Sequence, residues 1–89
     1  MSETDSKTDQ ITNEVLSFIS IELIGDDESV TLSSDVDLLG SGLVDSLGIM
    51  RLVAFIEETY ATSVPPEDVI IDNFLTINSI VAYVHRKTG

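Results

Sequence analysis

Asp45 and Ser46 stand side by side just ahead of an apolar run, and they are the pair in this sequence best placed to take part in covalent chemistry. A serine hydroxyl is a weak nucleophile unless a neighbouring base takes its proton. No His or Lys lies close to Ser46, and His85, the only histidine, is far along the chain. It reads as a solvated residue or a partner for a helix dipole rather than as a base. The chain has no cysteine, which removes disulfides, thiolate metal sites and a cysteine nucleophile. Asp35-Val36-Asp37 opens like a calcium-binding loop. With Asp35 at position one, Leu39 falls at five and Ser46 at twelve, so an EF-hand is rejected. Weak, nonspecific divalent binding by the acid-rich segment 26–37 is all that this route leaves. No paired acid–base constellation and no phosphate-cradling glycine motif is present. Ser46 therefore does not read as a catalyst, and on these residues alone it fits an ordinary place in a helix's first turn; the chain itself reads as no enzyme.

The elements that must position Ser46 are helical. From Gln10 to Ile24, apolar residues Ile11, Val15, Phe18, Ile19 and Leu23 recur at spacings of three and four, which predicts an amphipathic helix ended by Gly25 and the acids Asp26-Asp27-Glu28. Residues 25–45 then form a long connection, expected to pack down through Val30, Leu32, Val36, Leu38 and Leu39. A second helix is expected over Ser46 to Tyr60, with Asp45 as its N-cap. On a helical wheel, Ile49, Leu52, Val53, Ile56 and Tyr60 make a core stripe. Leu47, Met50, Arg51 and Ala54 lie nearly opposite, so two apolar side chains have no interior to enter. That pattern suits a docking surface, and methionine suits one that meets several partners. Pro66 with Glu67 and Asp68 predicts the first turn of a short third helix. Thr76 is expected to cap the last helix, whose stripe is Ile77, Ile80, Val81 and Val84, with Arg86 and Lys87 at its negative end. No strand alternation competes. The fold class expected is all-α, a small antiparallel bundle of three principal helices plus one short helix, with a long first loop.

Residues 1–9 are expected to be a flexible leader and residues 10–87 the folded domain. Apolar residues make up 43% of the chain, enough to fold. Sixteen acids against four bases give a net charge of −12, which repels nucleic acid and anionic membranes and steers partners with basic surfaces toward the chain. The polar, acidic start is unlike a signal peptide, and no apolar run approaches the roughly 20 residues a membrane span needs. A cytoplasmic monomer is the expectation.

The segment Gly42-Leu43-Val44-Asp45-Ser46-Leu47-Gly48 resembles the attachment motif of the acyl carrier protein family, the acyl and peptidyl carriers. The resemblance continues through the long first loop, Glu57-Glu58, the Val64-Pro65 turn and Phe74-Leu75-Thr76-Ile77, and it spans about residues 10 to 87. It implies a four-helix bundle whose Ser46 receives 4′-phosphopantetheine covalently from coenzyme A. It further implies that Asp45 helps a phosphopantetheinyl transferase hold Mg²⁺ during the transfer. The modified phosphoprotein would hold acyl or aminoacyl groups as thioesters. Its partners would be an activating ligase and downstream acyl-using enzymes in lipid or secondary-metabolite biosynthesis, met through Leu47, Met50, Arg51 and Ala54. Carriers of fatty-acid synthesis present acids along the early second helix, where this chain has Gly48 and Arg51. The motif is closer to discrete aminoacyl and D-alanyl carriers. The rival reading is a small acidic helical adaptor that uses the same face without a covalent arm.

Overall fold

The computed structural model describes residues 3–25 and 32–88, and these are helices and turns without a strand. Helix α1 runs Glu3–Phe18 and continues through a π-helical turn, Ile19–Leu23. It thus begins at Glu3 rather than at Gln10. Residues 3–9 are polar all round and carry no apolar period, which is why the sequence pattern did not reveal these roughly two turns of helix. The π turn has its own cause. Ile11, Val15, Ile19 and Leu23 are spaced by four, and at 3.6 residues per turn that spacing drifts by about 120° over the three steps. Widening the last turn lets Ile24 N–H reach Ile19 C=O at 2.9 Å. Ile19 stays fully buried while Ile21 is left 60% exposed. Gly25, at φ +81°, ends the element in the left-handed region that glycine tolerates.

The long connection is held by its own backbone. Leu38 N–H donates to Leu75 C=O at 2.8 Å, Asn78 N–H to Ser34 C=O at 2.9 Å, and Val44 N–H to Leu38 C=O at 3.0 Å. Leu38 is fully buried, and Leu32, Val36 and Leu39 pack against the core as expected. Val30 and the acids 26–28, named above as packing and stop signals, lie outside the described residues.

Helix α2 spans Ser46–Tyr60, and its stripe Ile49, Leu52, Val53 and Ile56 is buried. It ends at Ala61 in the left-handed conformation (φ 50°), with Thr62 N–H turning back to Glu57 C=O at 3.3 Å. The Glu57 carboxylate also accepts Val64 N–H at 2.9 Å, which fixes the way into the proline turn. The expected short third helix is divided. Pro66–Asp68 form a 3₁₀ turn, extended backbone at Ile70 interrupts it, and α3 covers only Ile71–Phe74. Helix α4, Ile77–Thr88, starts where the Thr76 hydroxyl accepts Ser79 N–H at 3.0 Å. Ile77, Ile80, Val81 and Val84 are buried, and so is Tyr83, which lies outside the expected stripe. Its hydroxyl leaves the core to donate to Asp68 at 2.7 Å. Helix α1 packs chiefly on α4, so the bundle of three principal helices and one short one is the observed architecture. His85 lies in the last turn of α4, the place of a dipole partner; it is partly buried, and among the described residues its enclosed Nε2 finds no hydrogen-bond partner.

Candidate phosphopantetheine attachment site

Ser46 is the first residue of α2, and it is exposed because the chain turns outward just before it. That turn has three supports. Asp37 accepts Gly40 N–H at 2.6 Å, and a Cβ at Gly40 would force the Asp37 carboxylate to move away. Gly42 takes φ +80°. Val44 is buried, which turns Asp45 and Ser46 toward the surface. Asp45 then adopts extended backbone, and its carboxylate accepts Gly48 N–H at 2.8 Å, the capping bond expected of it. Gly48 is buried, and a Cβ there would lie 3.0 Å from Val44 and 3.7 Å from Leu23, so the loop and the end of α1 close tightly on the start of α2. Asp45→Ala should cost about 1 kcal/mol of stability while Asp45→Asn costs only a few tenths, as urea denaturation would measure.

Two recesses flank the serine. One, of about 270 Å³, has Ser46 at its lip with Leu39, Ile49 and Met50 on one wall and Val69, Ile70, Ile71 and Phe74 on the other. Every side chain lining it except Ser46 is apolar. The second, of about 240 Å³, lies between Leu23, the 42–45 turn, Leu47 and Arg51, and it is more polar. Leu47 (70% exposed) and Met50 (59%) form a ridge between the two, with Arg51 and Ala54 exposed beside them. The four residues singled out from the sequence are thus brought together on one surface. Arg51 has a further bond that spacing did not reveal: its guanidinium donates to Glu22 C=O at 2.9 Å and lies 3.7 Å from the Glu22 carboxylate. It caps the negative end of the first helical element.

The wall formed by Val69, Ile70 and Ile71 was missed by sequence reasoning. Three consecutive β-branched apolar residues after an acidic turn were its signal, and Ile70 and Ile71 are 49% and 65% exposed. Polar bonds hold this wall to α4. Besides the Tyr83–Asp68 bond, Asn73 donates to Asp68 C=O at 2.8 Å and Arg86 to Asn73 at 3.3 Å. Burial and the Asp68 carboxylate together push the Tyr83 phenol up to about 12. Tyr60, expected in the core stripe of α2 but only partly buried, donates to Glu14 at 2.7 Å and is raised as well, first by its desolvation. Among the described residues no group of three His, Cys, Asp or Glu is placed to hold a metal ion, and no helix is long and apolar enough to cross a membrane.

A family profile described as "Phosphopantetheine attachment site" matches residues 10–84. The chain belongs to the phosphopantetheine-dependent carrier proteins. Among curated proteins, this carrier is 31% identical over 69 residues to the D-alanyl carrier protein of Abiotrophia defectiva, covering 78% of this chain and 87% of that protein. It is also 31% identical over 71 residues to the D-alanyl carrier protein of Lactococcus lactis subsp. cremoris (strain MG1363), covering 80% of this chain and 90% of that one. The carrier's cofactor is accordingly covalent 4′-phosphopantetheine. The residues present fit such a group, since an exposed serine hydroxyl stands at the lip of an open recess.

Proposed function

We propose that Ser46 is the attachment residue, and that the modified chain carries an acyl or aminoacyl group as a thioester between enzymes. The observation that carries this reading is the placement of Ser46, exposed at the start of α2, capped by Asp45 and bordered by the apolar recess. The Ser46 oxygen would attack the β-phosphate of coenzyme A, forming a P–O bond as adenosine 3′,5′-bisphosphate leaves. The serine proton would go to a base on the phosphopantetheinyl transferase, because none lies beside Ser46 in sequence. The attached group supplies a thiol that holds cargo as a thioester. This chain's own part is to present the oxygen, keep the start of α2 rigid and be recognised. Recognition falls to Leu47, Met50, Arg51 and Ala54, with an activating ligase and acyl-using enzymes as the partners.

Two observations bear on cargo. The D-alanyl carriers to which the chain is similar favour an aminoacyl group. The apolar walls around Met50 and Phe74 favour a hydrocarbon chain. Offering the modified protein both classes with candidate ligases separates them.

Incubation with coenzyme A, Mg²⁺ and a broad-specificity transferase should raise the intact mass by one phosphopantetheine, and Ser46→Ala should abolish the gain. A wild-type mass that does not rise, or an Ala variant that still gains the group, refutes the assignment. Asp45→Asn, which keeps the cap and removes the charge, should slow the transfer by about tenfold or more if the carboxylate helps to hold Mg²⁺.

A further inference from the structure

A groove of about 330 Å³ runs along the seam between the end of α1 and the middle of α2, outside the Ser46 site. Its floor is the stacked pair Phe18 and Phe55, with ring centroids 4.4 Å apart and planes at 21°. Both rings are only partly buried. Ile21 stands beside them, 60% exposed on the π turn. Glu14 and Glu22 form the rim. Two independent features thus meet here. The π turn, a rare geometry that recurs at functional sites, places an isoleucine outward, and an aromatic stack is left uncovered next to it.

We propose that this groove is a docking site for a basic amphipathic helix of a partner protein, which inserts an apolar side chain over Phe18–Phe55 and sets Lys or Arg against the rim. Charge selects this occupant. The chain has sixteen acids and four bases; Arg51 offsets Glu22 in part, so Glu14 carries most of the rim's charge. A second copy would bring the same −12 charge and the same acidic rim. The segment 26–31 of this chain, with Asp26, Asp27 and Glu28, has the charge that the rim repels. Phe55 lies nine residues after Ser46, about 180° round the helix. A helix seated in the groove leaves Ser46 and the apolar recess walled by Val69 to Phe74 open, although Glu22 on its rim is bonded to Arg51 of the second recess.

The test needs no covalent arm, so its outcome is independent of the role of Ser46. The unmodified full chain is titrated with a synthetic helix of about eighteen residues, leucine on one face and lysine on the other, and followed by amide NMR. Saturable binding should shift Phe18, Ile21, Phe55 and Thr59 first and weaken as salt rises. Ile21→Asp should lose about tenfold in affinity or more with an unchanged thermal midpoint, and Ile21→Ala a smaller part, whereas Ile71→Asp, beside Ser46, should bind as the parent does. Shifts centred on Leu47 and Met50, equal binding of a leucine–glutamate peptide, undiminished affinity in Ile21→Asp, or absence of saturation would each overturn the proposal. So would concentration-dependent self-association through the groove.

Discussion

Phe74→Ala is expected to remove about 3–5 kcal/mol of stability, a large share of what a chain of this size possesses. Phe74 is 1% exposed and packs against the Tyr83 ring at a centroid distance of 5.8 Å. It belongs to a helix of four residues that cannot hold itself by backbone bonds alone. Truncation would leave a cavity where α3 meets α4, and α3 has little else to keep it there. The urea midpoint should fall steeply, while Phe74→Leu, which keeps most of the volume, should cost about 1 kcal/mol. An unchanged midpoint in Phe74→Ala would mean that α3 does not pack as described. Because Phe74 also walls the recess at Ser46, the Leu variant is the one in which cargo handling can be read without loss of fold.

The second large effect is alkaline. Burial, with the Asp68 carboxylate, pushes the Tyr83 phenol up from its ordinary value near 10 to about 12 on folding. The folded state therefore holds the phenolic proton more tightly. Its stabilising share is fully present below pH 10 and is lost as pH rises from 10 to 12. Tyr60, raised in the same direction, adds to the decline. Urea midpoints should be level between pH 7 and 9 and drop sharply above 10. Tyr83→Phe should cost about 1 kcal/mol at neutral pH, through the lost bond to Asp68, and flatten the alkaline drop. A variant that declines as steeply as the parent would show that another group drives the loss.

What the sequence disclosed and what it withheld divide by physical cause. The bounds of α2, the Asp45 cap and the stripes of α2 and α4 follow from periodicity and first-turn chemistry, which act within a few residues. The exposure of Leu47 and Met50 follows from the same wheel. The start of α1 gave no apolar period to read, and the π turn hides in a spacing of four that also suits an ordinary helix. The bonds Arg51–Glu22, Tyr83–Asp68 and Tyr60–Glu14 join residues 15 to 46 positions apart, where spacing carries no signal. The attachment motif was legible through family resemblance, whereas the apolar recess beside it needed Val69 to Phe74 to be placed in space.

The backbone bonds from Leu38 to Leu75 and from Ser34 to Asn78 carry a consequence for the order of events in the life of the chain. Each closes a ring of roughly forty residues, whereas the helices close theirs within one turn. A ribosome delivers the loop and the serine well before it delivers the residues that fasten the loop down. Until Leu75 and Asn78 have emerged, the turn before Ser46 has its local bonds but is not fastened to the last helix.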